Sequence, residues 1–371
     1  MIHTADPTAQ GQEASGHERP LWQSRLLQKL SYRNVGVVYV WIALIILFSI
    51  WVPSTFPTLA TVREVLDGNA VVALLALSLV IPLSTRTFDL SVAYIATLSG
   101  VTCAYFVAHG MAIVGAVAIA LGVSFLAGVV NAVVVVVLGV DSFIATLATG
   151  SLLLAFVTMI TQNIAITSSR LLSGGFADIA QTTVAGVTLP VIYAIVVAIA
   201  IWYVLEHTAT GRRLYATGFN SDSARLAGVQ TRLLRFSSLI VSGLIAGGAG
   251  VVLVSSIGSG DPNAGTSYLL PAFAAAFVGA TQLHNGRFNA WGTLIAVLML
   301  GTGSTGLALA AAPQWTPNMF QGVALIAALA ITGQQRRRLT TGWRWRPRMR
   351  TKTTGRSEEP AEAVAVDQQT P

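Results

Sequence analysis

Residues 90–140 read LSVAYIATLSGVTCAYFVAHGMAIVGAVAIALGVSFLAGVVNAVVVVVLGV, without one Asp, Glu, Lys or Arg. A membrane-spanning helix needs about 20 predominantly apolar residues. This run therefore holds two spans, and His109-Gly110 is the natural place to divide it. The same is true of 288–335, which divides around Pro313–Pro317. Shorter charge-free runs occupy 34–62, 68–85, 142–169, 179–205, 236–260 and 262–286. Together they predict about ten spans, near 36–53, 66–85, 90–109, 111–139, 142–162, 188–205, 236–258, 268–283, 288–311 and 317–333. The eighth is short and contains Pro271, so a broken or re-entrant segment is expected there. Such irregular backbone survives at membrane depth only under a cover of protein or beside a wet cavity.

Composition points the same way. Of 371 residues, 10% are charged, against roughly 25% in soluble domains. The apolar fraction is 54%, with 34 glycines besides, and mean hydropathy is +0.68. A soluble enzyme, a nucleic-acid reader and a disulfide scaffold are excluded together; the single Cys103 lies in an apolar run. The expected architecture is an all-α polytopic membrane protein. With the N-terminus cytoplasmic, every Lys and Arg except Arg63 and Arg170 falls on the cytoplasmic side, as the positive-inside rule requires. Both termini are then cytoplasmic, and parity leaves six spans before the 206–235 loop and four after it. Residues 1–30 contain no signal-peptide core, so the first span is read as a retained anchor. The domains expected are a polar N-terminal tail (1–35), a transmembrane domain (36–333) and a basic, disordered C-terminal tail (334–371). That last tail carries nine basic residues between Arg336 and Arg356, with Trp343 and Trp345 among them. It either grips anionic membrane lipid or is simply solvated.

The chain lacks the usual engines. Its two lysines, Lys29 and Lys352, do not follow a glycine, so there is no Walker phosphate loop. Five scattered histidines show no metal-ligand spacing, and no HExxH or GxSxG occurs. No cofactor, metal or catalytic residue is expected. Ion-coupled carriers keep ionisable groups inside their spans, and the long runs here have none. The pathway is therefore passive or driven from outside the chain.

The one large cytoplasmic loop, 206–235, reads EHTATGRRLYATGFNSDSARLAGVQTRLLR. Asn220 or Ser221 can cap a short helix, Asp222 suits its first turn, and Gly228 stands where a glycine would stop it. This two-turn helix presents Ala224, Leu226 and Ala227 around Arg225. It reads either as a docking element for a partner's groove or as an ordinary surface turn.

Here the residues carry a resemblance. GFNSDSARLAG (218–228) is similar to the cytoplasmic coupling segment of the ribose-type permeases of bacterial ATP-binding-cassette (ABC) sugar importers. Thr87 to Val92 (TFDLSV) resembles the family's G-I-D-L-S-V element, and Ser142 to Leu147 (SFIATL) its P-F-I-x-T-L element. Ser242 to Gly247 with Ala249-Gly250 resembles S-G-L-x-A-G-x-A-G. Pro262 to Gly265, Gly279 to Thr281 and Gly286-Arg287 resemble the P-N-A-G, G-G-T and G-R elements. The resemblance covers roughly 36–333, in order. The chain departs from the pattern at Asp141, where the family often has Pro, at Pro271, near which it has an acidic residue, and at Ala280 and Asn285, where it has Gly. These departures mark a divergent subgroup.

The resemblance implies an ABC-importer permease in two related halves. It implies a dimer with a second permease subunit, cytoplasmic ATPase subunits, and an extracytoplasmic sugar-binding protein that delivers a pentose or hexose at the bacterial inner membrane. It also implies that Asn220, Asp222, Ala224, Arg225, Leu226 and Gly228 couple the chain to the ATPase. No nucleic acid and no bond-breaking step are implied. Two other readings stand beside this one: an ABC permease for branched-chain amino acids or another small solute, and a stand-alone secondary carrier.

For the pathway the candidates are Asp89, Ser91, Phe143, Thr146, Asn163 and Asn263. Asp89 either lines the pathway, paired with Arg86, or caps a helix starting at Leu90. Asp141 is read as the cap of the fifth span. Phe143 and Thr146 face a pore or a neighbouring helix. Gln162 and Asn163 end the fifth span on the outer side, where they could touch a hydroxylated ligand. Asn263 lies in an outer loop, as a docking contact or as turn chemistry. Gln282 and His284 are read as an inner loop. Gly243, Gly247, Gly248 and Gly250, with Ala272 and Ala274 to Ala276, are read as close helix packing.

Overall fold

The computed structural model describes residues 32–282 and 286–341. Most of both expected tails, and His284, lie outside these residues. Six helices come first: α1 (Tyr32–Trp51), α2 (Leu59–Gly68), α3 (Ala70–Ser84), α4 (Val92–Ala108), α5 (Ile113–Ala132) and α6 (Ser142–Thr161). Two short helices, α7 (Ser169–Leu172) and α8 (Gly175–Gln181), follow. Then come α9 (Leu189–Trp202), α10 (Ala209–Phe219), α11 (Ser221–Leu226), α12 (Thr231–Ile257), α13 (Leu269–Gln282), α14 (Ala290–Leu309) and α15 (Thr316–Thr341). The compact unit ends at Thr332.

Among the described residues, five helices are long and apolar enough to cross a membrane: Ile113–Val137, Ser142–Thr161, Leu189–His207, Thr231–Ile257 and Ala290–Leu309. The pair α2 and α3, bent by 44°, makes a sixth. The chain is thus a helical, multi-pass membrane protein. Four further apolar helices are shorter: Gly36–Trp51, Val92–Ala108, Thr266–Ala280 and Thr316–Ala330.

Three expectations about these elements change. The second span does not begin at 66: the Thr58 hydroxyl accepts from the Thr61 N–H at 3.2 Å, and this cap starts α2 early enough to include Arg63, Glu64 and Asp67. The eighth segment is not broken at Pro271. That proline lies in the first turn of α13, where the missing N–H has no intrahelical partner to lose. The seventh begins at Thr231 and takes in Arg232 and Arg235, which a charge-free criterion had cut off.

The centre of the unit is α12, which packs along α3, α4 and α5. It approaches them through glycines. A Cβ at Gly250 would lie 2.0 Å from the Ala96 carbonyl oxygen of α4, and one at Gly100 would lie 2.7 Å from the Gly250 carbonyl oxygen. Gly243 and Gly247 meet Ser124 and Gly128 of α5 in the same way, whereas Gly248 faces open space. Ser99 Oγ donates to the Gly247 carbonyl at 2.9 Å. In a bilayer no hydrophobic force separates helix from lipid, so such backbone proximity and interhelical bonding hold the bundle. Ala272 and Ala274 to Ala276 are buried on α13, and Gly279 crosses Gly292 of α14.

Beyond α6 the chain forms a segment of short helices and strands that the charge-free runs did not foresee. Ile166–Thr167 pairs antiparallel with Ser259–Gly260, and Thr183–Val184 pairs with Val187–Thr188 in a hairpin. Asp67 accepts from the Thr188 hydroxyl at 2.7 Å and from its N–H at 3.1 Å, tying the hairpin to α2.

Candidate coupling and translocation site

The 206–235 loop is mostly helix. Thr208 caps α10, its hydroxyl accepting from the Gly211 N–H at 3.2 Å. Sequence reasoning missed this helix because Gly211 and Gly218 lower its propensity. Both glycines are there for room: a Cβ at Gly218 would lie 2.0 Å from the Ser84 carbonyl oxygen at the end of α3. The α10 helix is thereby pressed onto the bundle.

Asn220 then caps α11, its side-chain oxygen accepting from the Asp222 and Ser223 N–H groups at 3.1 Å each. The helix ends in a Schellman turn. Gly228 N–H donates to Arg225 O, and Val229 N–H to Ala224 O, both at 3.0 Å. Gly228 takes φ +82°, a conformation that costs an ordinary residue about 1–2 kcal/mol. Ala224 is buried and anchors the element, while Leu226 is 89% exposed. Arg225 and Asp222 pair at 3.2 Å on the open surface, where such a pair adds little stability. Phe219, the last residue of α10, is likewise 80% exposed. It was missed in the sequence, where its signal is an aromatic set between glycine and asparagine.

The structure brings three of the six pathway candidates into one cluster. Asp89 is fully buried. It does not cap a helix at Leu90, since α4 starts at Val92. Its Oδ1 accepts instead from Ser91 Oγ at 2.5 Å and from the Ser91 N–H at 3.2 Å. Asn131 of α5 donates to Ser91 Oγ at 2.6 Å, and Thr149 of α6 donates to Asn131. Thr146 Oγ1 accepts from the Leu90 N–H at 2.9 Å, and Ser142 Oγ from the Phe88 N–H at 3.0 Å. The TFDLS loop is thus sewn to α5 and α6. Asp89 Oδ2 and the nearby Ser242 Oγ of α12 are both buried without a well-formed hydrogen bond. Burial pushes the Asp89 carboxyl up, and the hydroxyls of Ser91 and Ser242 relieve part of that.

A carboxyl raised by folding contributes stability that is fully present in acid and is lost as pH climbs from the ordinary carboxylate range toward the raised value. We therefore expect Asp89→Asn, which keeps shape and a donor, to melt at the wild-type temperature in acid and above it at alkaline pH. Detergent-phase melting curves across pH check this, and parallel curves would contradict it.

The other candidates fall elsewhere. Asp141 caps α6, accepting from Phe143 and Ile144 N–H groups at 3.0 and 3.3 Å. Phe143 is half-exposed. Gln162 and Asn163 turn out of α6 with positive φ. Asn263 is exposed and serves a turn: its N–H donates to Asp261 Oδ1 at 2.8 Å, and its carbonyl accepts from Thr266 Oγ1 at 2.8 Å.

On α6, Phe143, Leu147, Ser151 and Thr158 lie along one edge of a broad exposed surface, and Leu152, Phe156 and Met159 along its other edge. Ser151 and Thr158 went unnoticed in the sequence because which of their faces lacks a neighbour is a tertiary fact.

The bundle of apolar, membrane-length helices crossing at glycines is that of a multi-pass membrane protein. Residues 65–329 match the family described as the branched-chain amino acid transport system / permease component, more than half of the chain. The chain is 33% identical to the ribose import permease protein RbsC of Escherichia coli strain K12, over 79% of this chain and 92% of that one. It is 30% identical to the fructose import permease protein FrcC of Rhizobium meliloti (88% and 92%) and 26% identical to the D-allose transport system permease protein AlsC of E. coli (81% and 92%). It belongs to the ribose-type permease family. No solved structure matches it.

Proposed function

We propose that this chain is the permease subunit of a bacterial ABC importer for a monosaccharide, a pentose or hexose, in the inner membrane. The observation that carries this reading is the near full-length similarity to ribose, fructose and allose permeases, joined to a capped helix with bare apolar side chains at 219–226. The family description names branched-chain amino acids; the sugar permeases among its relatives favour a sugar here.

In this reading there are ten spans, the five long helices, the bent pair and the four shorter ones, five on either side of the outer 163–187 segment. Both termini are cytoplasmic, because that orientation keeps Lys and Arg inside. The transmembrane domain runs from about 36 to 333, with cytoplasmic tails at either end. The α11 helix, through Asn220, Asp222, Ala224, Arg225, Leu226 and Gly228, seats in an ATPase subunit. A second permease subunit completes the pathway, and an extracytoplasmic binding protein delivers the sugar. The face of α6 bearing Phe143, Ser151 and Thr158 borders the pathway, since hydroxyls there can replace water around a sugar, and the Leu152–Met159 face meets lipid. Asp89, Ser91 and Thr146 hold that face in place from behind; Asn163 and Asn263 lie toward the outer mouth. The chain itself breaks no bond, and ATP binding by the partner rocks the spans.

Reconstitution tests the reading. Proteoliposomes holding the permease with its ATPase and binding protein should accumulate labelled ribose, fructose or allose only with ATP. The permease alone should not concentrate them. Uphill accumulation by the isolated chain, or leucine uptake without sugar uptake, would overturn it.

A further inference from the structure

Five aromatic rings run from the coupling segment to the start of α6. Tyr215, on α10 just ahead of α11, donates its hydroxyl to the Phe288 carbonyl at 2.8 Å. Burial and then Glu206 push this phenol up, so it keeps the proton it donates. Arg287 lies 5.3 Å from the Tyr215 ring centre, and Asn289, the cap of α14, donates to the Arg287 carbonyl at 3.0 Å. The Phe288 ring meets Phe277 of α13 edge-on at 5.4 Å. Phe277 stacks on Phe88 at 6.4 Å, and Phe88 meets Phe143 edge-on at 6.4 Å. All three spacings lie within the range of favourable aromatic contact. Phe88 and Phe143 are 36% and 50% exposed. Their positions are set from behind by the Phe88 N–H bond to Ser142 Oγ and by the Asp141 cap.

We propose that Phe88 and Phe143 form the inner seal of the pathway, and that Tyr215 is the positioning residue that ties this seal to the coupling segment through Phe288 and Phe277. This rests on the reading of 219–228 as the coupling segment and of the α6 face as pathway. Two bare rings at the coupling end of that face present an apolar constriction. A hydroxylated sugar crosses it only by losing hydration without replacement, a step that is unfavourable for each of its hydroxyls. The same rings are the end of a contiguous packed series that begins on α10, six residues before α11. A shift of α10 therefore moves Phe288 by its backbone carbonyl, and Phe88 and Phe143 in turn.

The test uses the complete importer in proteoliposomes. Without ATP, the double variant Phe88→Ala/Phe143→Ala should release trapped labelled monosaccharide at least about tenfold faster than wild type, the signature of an apolar barrier removed. Phe88→Leu/Phe143→Leu, which keeps apolar bulk, should release it slowly. In Phe143→Cys the only other thiol of this chain is the buried Cys103, so labelling of this subunit by a water-soluble maleimide, resolved from its partners by electrophoresis, reads the seal directly. Its rate should change severalfold between nucleotide-free and ATP-bound states, and Tyr215→Phe should flatten that change while ATP hydrolysis continues. Wild-type retention of sugar by the alanine variant, or a labelling rate at position 143 indifferent to nucleotide, would overturn the proposal. Arg225→Ala separates the two ideas: if it uncouples transport while the seal variants behave as wild type, the coupling reading stands and the seal falls. If it leaves uptake normal, the coupling reading falls, and the ATP-free leak still decides the seal.

Discussion

Gly250→Leu should abolish accumulation of folded protein in the membrane. The Cβ of any side chain at 250 would stand 2.0 Å from the backbone oxygen of Ala96, a group that cannot swing aside. The two helices would have to move apart along the crossing where Gly100 faces Gly250. That separation also lengthens the Ser99 bond to Gly247 and opens the packing of α12 on α3. Overpacking a tight core costs about 1–3 kcal/mol where neighbours can yield; here the neighbour is backbone, and the helix displaced is the one around which the unit is built. Gly248→Leu is the matched control. Nothing lies within 4 Å of a Cβ there, and Gly248 borders an apolar cavity of ≈ 350 Å³ lined by Leu74, Leu121, Tyr193 and Val197. Size-exclusion profiles of detergent-extracted protein should show a normal peak for Gly248→Leu and none for Gly250→Leu. A normal peak for both would refute the glycine crossing.

Phe219→Ala with Leu226→Ala should leave that peak unchanged and still eliminate ATP-driven uptake. Both side chains are largely exposed, so their removal takes nothing from the core. At an interface, buried apolar anchors cost about 2 kcal/mol or more apiece when truncated, roughly thirtyfold in affinity each. The permease should therefore lose its ATPase in pull-down from nanodiscs. Arg225→Ala and Gly228→Val should keep some ATPase bound but cut uptake per ATP hydrolysed, the first by removing a charge at the tip, the second by straining the turn that ends α11. Undiminished ATPase binding by the double alanine variant would rule out this docking surface.

Most of the span pattern was legible because hydrocarbon is an unforgiving solvent for charge. Runs without Asp, Glu, Lys or Arg mark helices directly, and the ends of α4, α6 and α14 fall within a few residues of expectation. The errors sit where charge and helix part company. Arg232 and Arg235 lie inside α12, and Arg63, Glu64 and Asp67 inside α2, because a helix can run past the membrane edge once its first turn is set. The α11 helix was legible from Asn220, Asp222 and Gly228, since capping is a local matter of three or four neighbouring residues. Its companion α10 was not, because Gly211 and Gly218 look like breakers until the backbone they press against is known.

Asp89 shows the same boundary. Its place in TFDLS beside Ser91 was plain, but the reach of Asn131 and the near approach of Ser242 join segments far apart in the chain. Local chemistry and solvent exclusion act along the chain, so the sequence alone determined that this is a helical membrane protein with a short capped helix between spans. Only the folded bundle decided which glycines carry crossings, which face of α6 stays bare and which rings line up behind Phe143. Those depend on helices meeting across long stretches of sequence: the Gly243–Gly250 run marks a close crossing, but neither its partners nor the open side at Gly248.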